Sequence, residues 1–276
     1  MPSSSTADSL AGTPGLTADD FRRVCRIAHQ RAGLAIPAGK EGLVRSRLVR
    51  RLRERRIGTF SAYLDCVERE THGDELVELI DLLTTNKTDF FREPAHFDYL
   101  VNHVVSASVD AGTPLRLWSA GCSSGEEPYT LAMILHDVLP PRYDVRILAT
   151  DISTRAVAMA RKGVYTGQQL SHVPAARRAR WFTPTPDGGG VALPELRAPI
   201  SFAHLNLMAA WPMSGPFDAI FCRNVMIYFD RPTATKLVAR FHALLAPGGH
   251  LFIGHSESLT AIEHQYHYIQ PAVYAT

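Results

Sequence analysis

The stretch from Leu115 to Met133 reads LRLWSAGCSSGEEPYTLAM and decides the fold. Its apolar residues predict a strand that ends at a turn of small residues and passes directly into a helix, with Pro128 in the first helical turn. Gly121 and Gly125 allow a tight turn and the close approach of a ligand, and the first N–H groups of a helix have no partner within it. Strand, turn and helix in this order form the nucleotide-binding unit of α/β proteins.

A second apolar strand, from Val145 to Thr150, ends at Asp151. A carboxylate at this place in a βαβ unit accepts hydrogen bonds from ribose hydroxyls. The turn lacks the GxGxxG and P-loop spacings, and Glu126 and Glu127 at the helix start would repel a pyrophosphate. A nucleoside with a cationic centre, such as S-adenosylmethionine, fits better. The alternative is a turn that merely connects a strand to a helix.

Length and composition indicate a globular protein. The 276 residues suffice for one large domain or two small ones. No apolar run approaches the roughly 20 residues of a membrane span, and the N-terminal sequence lacks the features of a signal peptide, so a cytoplasmic protein without membrane insertion is expected. The cysteines have no metal-ligand spacing and are expected to be reduced thiols, with no metal site. They are Cys25, Cys66, Cys122 and Cys222.

The net charge of +2 conceals a strong asymmetry along the chain. Between Phe21 and Arg56 there are 12 Lys or Arg and 2 acids, a net charge of +10, whereas the other residues carry 17 basic and 25 acidic side chains, a net charge of −8. The basic segment predicts an acidic partner. A solvated face and a nucleic-acid patch are the alternatives, although aromatic residues for base stacking are scarce there. The arginine run comprises Arg45, Arg47, Arg50, Arg51, Arg53, Arg55 and Arg56.

Apolar periodicity divides the chain into segments. Thr17 and Asp20 predict a capping box at the start of a first helix, and Val44, Leu48 and Leu52 repeat every four residues through the arginine run. The N-terminal end is rich in Ser, Thr, Pro and Gly, which is typical of a disordered tail. The predicted segments are a disordered tail (1–15), a helical domain (16–83), a linker that contributes to the cofactor site (84–95) and an α/β domain (96–276).

Helices alternate with apolar strands after a helix over His96–Ser108, which predicts a mostly parallel sheet covered on both faces, and a closing hairpin predicts an antiparallel edge strand. This is the outline of a class I methyltransferase. Residues 163–198 are rich in Pro, Gly and Arg and break the alternation, so an inserted subdomain is expected. The predicted strands are Leu115–Ser119, Val145–Thr150, Ile200–Leu205, Phe217–Cys222 and His250–Gly254, with the hairpin through His267–Tyr274.

Polar side chains follow two of these strands. Arg223 and Asn224 come directly after a buried strand and Asn206 follows the preceding one, so all are expected at the carboxyl edge of the sheet, where ligands bind. Asn206 could hydrogen-bond an adenine edge. Strand ends without a ligand are the alternative. Cys222 could be a covalent nucleophile, but a strand cysteine without a preceding proline is more typical of a small buried hydrophobe.

Six segments closely resemble the CheR family of chemotaxis receptor glutamate methyltransferases, in this order after a basic helical domain: TTNKTDFFREPAHF, LWSAGCSSGEEPYTLAM, ILATDIS, HLNL, FDAIFCRNVMIYFD and LLAPGGHLFIGHSESL. The resemblance spans nearly everything from Thr17 to Tyr274. It implies a class I, Rossmann-like fold whose mostly parallel sheet has an antiparallel edge strand, with a small N-terminal all-helical domain and a small β-subdomain insert. It also implies methyl transfer from S-adenosylmethionine to receptor glutamates, which gives γ-methyl esters and S-adenosylhomocysteine.

The resemblance also implies roles for single residues. Arg92 and Tyr228 are the candidates to orient the carboxylate or the methionine end of the cofactor. A glutamate side chain, with a pKa of about 4.3, is ionised at neutral pH and needs no general base. The choice between Glu126 and Glu127 stays open because the spacing to Asp151 allows a shift of one residue. The positions that match cofactor-binding residues of the family are Asn86, Thr88, Arg92, Glu127, Asp151, Asn206, Leu207, Arg223 and Asn224.

The partners implied are the acidic cytoplasmic helices of methyl-accepting chemotaxis receptors, bound by a monomer through its basic domain. Some family members also tether a receptor C-terminal pentapeptide on the β-subdomain. Here the matching segment FTPTPDGGGVALPEL is shorter and rich in proline, which removes backbone donors, so no tethering is expected. One rival is an RNA methyltransferase, but its NPPY-like motif is replaced by CRNV, and no nucleic-acid partner is expected. A non-catalytic cofactor sensor would lack cofactor residues that are present here.

Overall fold

The computed structural model describes residues 14–69, 74–84 and 87–276, and the chain divides into two compact units between Thr84 and Thr85. No helix of this described part combines the length and apolar character that a membrane crossing requires. The predicted disordered tail lies mostly outside the described residues. The helices of the first unit are α1 (Ala18–Ala32), α2 (Glu41–Arg55), α3 (Phe60–Arg69) and α4 (Asp74–Leu83).

The first unit is held by a helical core. The predicted capping box is confirmed, because Thr17 Oγ1 accepts from the Asp20 N–H at 3.1 Å and the Asp20 carboxylate accepts from the Thr17 N–H at 3.2 Å. Val44, Leu48 and Leu52 are buried on one face of α2, as their four-residue spacing predicts. They pack with apolar side chains of the other three helices.

The second unit contains a seven-stranded sheet with the order β6-β2-β1-β7-β8-β10-β9. The pairs among β6, β2, β1, β7 and β8 are parallel, and β10 pairs antiparallel with β8 and β9. The predicted parallel sheet with an antiparallel edge is therefore confirmed. Its strands are β1 (Leu115–Ala120), β2 (Val145–Asp151), β6 (Ile200–His204), β7 (Phe217–Cys222), β8 (Leu245–Ile253), β9 (His267–Gln270) and β10 (Val273–Ala275).

Both faces of the sheet are covered. Successive strand residues point to opposite faces, so Leu117 and Trp118 of β1 belong to different hydrophobic clusters. The helix predicted over His96–Ser108 runs from Ala95 to Ala111, and its middle turns are π-helical. The covering helices are α5 (Ala95–Tyr99), the π-helix (Leu100–Val105), α6 (Ser106–Ala111), α7 (Glu126–Val138), α8 (Thr154–Lys162) and α12 (Arg231–Leu244).

The insert between β2 and β6 forms a second, three-stranded antiparallel sheet with the order β3-β5-β4. This confirms a small β-subdomain at the expected place. Its elements are β3 (Val164–Tyr165), α9 (Gly167–Leu170), α10 (Ala175–Trp181), β4 (Phe182–Pro184), β5 (Gly190–Ala192) and α11 (Pro194–Arg197).

The prediction that β8 begins at His250 was wrong. The strand begins at Leu245, which pairs with Phe217, and the register then shifts so that His250 pairs with Ala219. The sequence Ala-Pro-Gly-Gly in between is typical of a turn. Here Gly248, at a φ of +76°, lets the strand bulge without leaving the sheet.

Candidate active site

The strand order gathers the ends of four parallel strands at one edge. Asp151, the last residue of β2, pairs in register with His204 of β6, and Thr150 pairs with Ala120, the last residue of β1. On the other side of β1, Ser119 pairs with Phe221 of β7. The polar residues that follow these strands therefore lie along the same edge, as the sequence predicts.

The turn between β1 and α7 needs its two glycines for the packing of the protein itself. Gly121 and Gly125 have φ values of +94° and +99°, a backbone conformation that residues other than glycine rarely adopt. A Cβ on Gly121 would clash with Val225, and one on Gly125 would lie 2.8 Å from Tyr165 Oη and 2.9 Å from Ala160 Cβ. Protein atoms thus fill the space that a Cβ at either position would need, so the packing of this turn requires both glycines.

Asp151 organises this turn. One carboxylate oxygen accepts from the Ser123 N–H and the other from the Ser153 N–H, each at 2.8 Å. The side chain is buried at the end of β2. Because a carboxylate oxygen can accept more than one hydrogen bond, this arrangement fixes the orientation of Asp151 without preventing it from accepting from a ligand hydroxyl.

The structure distinguishes Glu126 from Glu127. Glu127 accepts from Ser119 Oγ at 2.6 Å and from Arg223 Nη1 at 2.9 Å. Glu126 faces the inserted subdomain, where its oxygens accept from Ser124 Oγ at 2.7 Å and from Gln169 Nε2 at 2.9 Å. Consecutive residues of a helix point about 100° apart, so only Glu127 reaches the other candidates.

Arg223 is the centre of a buried ionic network. Its guanidinium contacts Glu127 Oε2 at 2.9 Å, Glu93 Oε2 at 3.0 Å and the carbonyl oxygen of Arg92. The Arg223 side chain is 3% exposed, and those of Glu93 and Glu127 are 13% and 12% exposed. Burial raises the pKa of Glu127, against the opposing attraction of Arg223. Burial also acts to raise the pKa of Glu93. The charge of Arg223 and its hydrogen bond outweigh this effect, so the pKa of Glu93 lies below its usual value.

Glu93 is a site residue that sequence reasoning missed. It stands beside Arg92 in the segment FFREP, and both Phe91 and Glu93 have positive φ values, 56° and 57°. Left-handed backbone is uncommon at bulky residues, and such residues cluster at functional sites. This backbone conformation directs the Glu93 carboxylate inward to Arg223. From the sequence alone, a glutamate between an arginine and a proline is expected to be exposed to solvent.

Two histidines complete the network. His96 is fully buried, its Nδ1 lies 3.5 Å from Glu93 Oε2, and burial lowers its pKa to about 4, so its ring is neutral at pH 7. The backbone N–H of His255 donates to Glu93 Oε1 at 3.2 Å. Ligand atoms of Glu93, His96 and His255 lie within 4.8 Å of one another. The Arg223 cation, 3.0 Å from the same carboxylate, opposes a metal ion at this place.

Arg92 and the segment before it lie next to this network. The Arg92 guanidinium donates to the Lys87 carbonyl at 3.4 Å and lies 4.0 Å from Glu93 Oε1, so it is held only loosely. Thr88 is partly buried, four residues before Arg92. Asn86, the remaining predicted residue of this segment, lies outside the described residues.

Asn224 and Tyr228 lie on one turn after β7. Asn224 has a φ of 59°, and Tyr228 ends a short 3-10 helix that begins at Met226. One carboxylate, that of Glu257, accepts from the N–H groups of Asn224 at 2.9 Å and Ile227 at 3.1 Å. Sequence reasoning missed Glu257 as well.

The remaining candidates follow β6 or end β7. Asn206 Oδ1 accepts from the Met208 N–H at 2.9 Å, which folds the chain into a turn just past the strand. Leu207 is buried in the hydrophobic cluster of that face. Cys222 is completely buried, and burial raises the pKa of its thiol, so it has the character of a core residue, not of a nucleophile.

Comparison with known proteins decides the family. The family model described as "CheR methyltransferase, SAM binding domain" matches residues 86–275, and "CheR methyltransferase, all-alpha domain" matches residues 19–84. The chain belongs to the CheR methyltransferase family. Its cofactor is S-adenosylmethionine, as the sequence predicts.

Curated CheR relatives resemble the chain over nearly its whole length. A chemotaxis protein methyltransferase of Escherichia coli (strain K12) is 40% identical, with 100% of this chain and 97% of the relative covered. Those of Klebsiella aerogenes and Pseudomonas aeruginosa ("methyltransferase 2") are 42% and 41% identical, covering 92% and 94% of this chain and 88% and 93% of the relatives. This CheR-family chain is therefore a methyltransferase of chemotaxis, and the RNA methyltransferase alternative is not favoured.

Proposed function

We propose that the protein is a protein-glutamate O-methyltransferase that esterifies glutamate side chains of chemoreceptors, in the cytoplasm and as a monomer. The observation that carries the proposal is the division of the Arg223 guanidinium between Glu93 and Glu127, beside Arg92 at the carboxyl edge of the sheet. This network gives a fixed set of acceptors for a cationic nucleoside. It leaves Arg92, which is loosely held, to meet a carboxylate.

The chemistry requires position more than proton transfer. The cofactor supplies an electrophilic methyl group on a sulfonium centre. The attacking glutamate is already ionised at neutral pH, so the chain must align it in line with that methyl group and shield it partly from water. Nine residues are proposed to bind the cofactor: Asn86, Thr88, Arg92, Glu127, Asp151, Asn206, Leu207, Arg223 and Asn224.

Arg92 and Tyr228 are proposed to orient the substrate carboxylate. Both side chains are partly exposed, which leaves them accessible to a substrate. The bond of Arg92 to the Lys87 carbonyl is long, at 3.4 Å, so the side chain can move to a ligand. A tight ion pair between Arg92 and the carboxylate would stabilise the ground state and slow transfer, so Arg92 is proposed to act through weak, directional contact.

The first unit, residues 16–83, is proposed to dock on acidic receptor helices, but not through the whole arginine run. Arg51 is bound to the buried Glu75 by two hydrogen bonds of 2.8 Å, and Arg47 donates to the Leu83 carbonyl at 2.6 Å. These two arginines stabilise the helical unit. The exposed arginines at the end of α2 that support docking are Arg50, Arg53 and Arg56.

The β-subdomain is proposed not to tether a receptor pentapeptide. Its β4–β5 loop is closed on itself, because the Thr185 N–H donates to the Gly189 carbonyl at 3.2 Å and the Gly188 N–H to the Thr185 carbonyl at 3.0 Å. Arg178 donates to the Gly188 carbonyl at 2.8 Å. These bonds occupy backbone groups of the loop, which leaves fewer of them for the strand addition of a peptide. Saturable micromolar binding of receptor C-terminal peptides would contradict this part of the proposal.

The test is incubation with radiolabelled S-adenosylmethionine and membranes that contain chemoreceptors. Label is expected on the receptors, and mild alkali is expected to release it as methanol, since esters are alkali-labile and N-methyl groups are not. Receptors whose modified glutamates are changed to glutamine should stay unlabelled. Alkali-stable label, or label on added RNA instead of receptors, would overturn the proposal.

A further inference from the structure

Glu257 joins two segments of the second unit that lie far apart in sequence. Its Oε2 accepts from the N–H groups of Gly254 at 2.6 Å and Asn224 at 2.9 Å, and its Oε1 accepts from the Ile227 N–H at 3.1 Å. Gly254 directly follows β8, whereas Asn224 and Ile227 belong to the turn after β7. A single carboxylate therefore satisfies three backbone donors of the two neighbouring strand ends.

We infer that Glu257 is a positioning residue for methyl transfer, whose carboxylate fixes the turn that carries Asn224 and Tyr228 against the end of β8. The inference rests on the proposed function, because it takes Asn224 as a cofactor-binding residue and Tyr228 as a substrate-orienting one. The two bonds to this turn are made at Asn224 and at Ile227, the residue before Tyr228, so they constrain both side chains.

The backbone of the turn needs such a constraint. Asn224 adopts a φ of 59°, a conformation that is unfavourable for a residue with a side chain unless its surroundings impose it. Gly254 packs so closely that a Cβ there would lie 2.8 Å from the Asn224 N atom and would clash with its side-chain amide. Glu257 supplies hydrogen bonds to the backbone N–H groups of Gly254 and Asn224 at this close approach.

A carboxylate is the side chain that suits this place. Its two oxygens accept only, so both can face N–H donors at once, whereas the amide of glutamine would turn an NH2 group toward at least one of them. Burial raises the pKa of Glu257, and the backbone donors oppose this rise. Glu257→Gln therefore removes acceptor capacity with almost no change of shape.

The experiment measures S-adenosylhomocysteine affinity and receptor methylation for Glu257→Gln in two backgrounds, wild type and the double variant Asn224→Ala/Tyr228→Phe. In the wild-type background a loss of about tenfold in affinity and in kcat is expected, because hydrogen bonds to a charged group are lost. In the double variant, the further loss is expected to be less than about twofold, since residues that act through one another are not additive. The exposed Glu263→Gln serves as the matched control and should behave as wild type.

Gly254→Ala gives a second, independent perturbation, because it pushes on Asn224 and leaves the Glu257 carboxylate intact. It should reproduce the losses of Glu257→Gln and show the same dependence on background. An equal loss from Glu257→Gln in both backgrounds, or no loss in wild type, would overturn the inference. If instead Asn224→Ala/Tyr228→Phe retained full affinity and activity, the proposed site itself would fail, which is a different result.

Discussion

Two arginines, one in each unit, hold buried carboxylates and do so differently. In the first unit Arg51 directs two hydrogen bonds of 2.8 Å to the two oxygens of Glu75, whose side chain is 3% exposed. In the second unit Arg223 divides its guanidinium between Glu127, Glu93 and the Arg92 carbonyl. In the first arrangement both short bonds of the guanidinium go to one carboxylate, and Glu54 and Glu78 lie farther off at 3.5 and 4.0 Å. In the second, the short bonds are divided between two carboxylates.

The difference indicates which feature separates an ion pair at a binding site from one that only stabilises the fold. The fork of Arg51 engages both oxygens of Glu75, and that carboxylate also contacts Arg55 at 3.2 Å, so the cluster ties α2 to α4 and is complete. Around Arg223, two carboxylates share one guanidinium at hydrogen-bond distance, and Arg92 lies 4.0 Å from one of them. Each of these two carboxylates can accept further hydrogen bonds and can therefore bind a cationic partner in addition to Arg223. Buried charge alone does not distinguish the two clusters, whereas the division of the short guanidinium bonds does: one carboxylate takes both at Arg51, and two carboxylates share them at Arg223.

The strongest test of this comparison replaces each arginine by alanine. Arg51→Ala should destabilise the protein by about 3–5 kcal/mol, because it leaves a buried glutamate with reduced compensation, and should not change S-adenosylhomocysteine affinity at a temperature where the variant is folded. Arg223→Ala should lower that affinity at least 100-fold, which is about 3 kcal/mol. Denaturant unfolding and calorimetry measure the two effects. Equal losses of affinity in both variants would end the distinction.

The acceptors beside Arg223 can be compared one at a time. Asp151→Ala and Glu127→Ala should each weaken S-adenosylhomocysteine binding by about 1–3 kcal/mol, since each removes an acceptor for donor groups of the nucleoside. Glu126→Gln is the matched control: that carboxylate faces Ser124 and Gln169, so a smaller change is expected. Unchanged affinity in both alanine variants, measured by calorimetry, would place the cofactor elsewhere.

The neutral His96 beside Glu93 gives a prediction about pH. Its pKa is about 4 in the folded protein against 6.5 for the free side chain, so the unfolded chain binds its proton first as the pH falls. The stability that this contributes is present above pH 6.5 and is lost as the pH falls toward 4. Between pH 7 and pH 5 the free energy of unfolding of wild type should fall by about 2 kcal/mol more than that of His96→Phe. Identical pH profiles in urea unfolding would show that His96 titrates normally.

The smallest effect concerns the three exposed arginines proposed for docking, two in α2 and Arg56 directly after it. Reversing the charge at Arg50, Arg53 and Arg56 should slow receptor methylation about tenfold at low salt, because it weakens association, and should leave cofactor affinity intact. The effect should shrink as salt rises. Arg146→Glu, an exposed arginine of the second unit with 77% of its side chain accessible, is the control. Full activity of the triple variant at low ionic strength would refute the docking surface.

Much of the fold was predictable because local and tertiary preferences agree. Thr17 and Asp20 form the expected cap, and the apolar runs at β1, β2 and β7 are strands within one residue of the predicted bounds. The start of β8 was not predictable, because Pro247 and Gly248 favour a turn and only pairing with β7 keeps that segment in the sheet.

The candidate site was predictable where a residue ends a strand or directly follows it, as Asp151 and Arg223 do. Glu93 and Glu257 were missed because their roles depend on contacts across 130 and 33 positions of the chain, respectively. The positive φ of Glu93 also depends on tertiary packing. The roles of Glu126 and Glu127 could be separated only once the direction of α7 was known.

The hydrogen bonds between the insert and the β1–α7 turn limit how this protein can be re-engineered. Tyr165 Oη donates to the Ser124 carbonyl at 2.8 Å, and Gln169 Nε2 donates to Glu126 at 2.9 Å. The three-stranded insert therefore cannot be exchanged as a whole without consequence. An insert from another protein that lacked equivalents of these two side chains would leave polar groups of the β1–α7 turn without their partners. A chimaera designed to alter receptor choice must therefore exchange only the β4–β5 loop of the insert and keep Tyr165 and Gln169 of this protein.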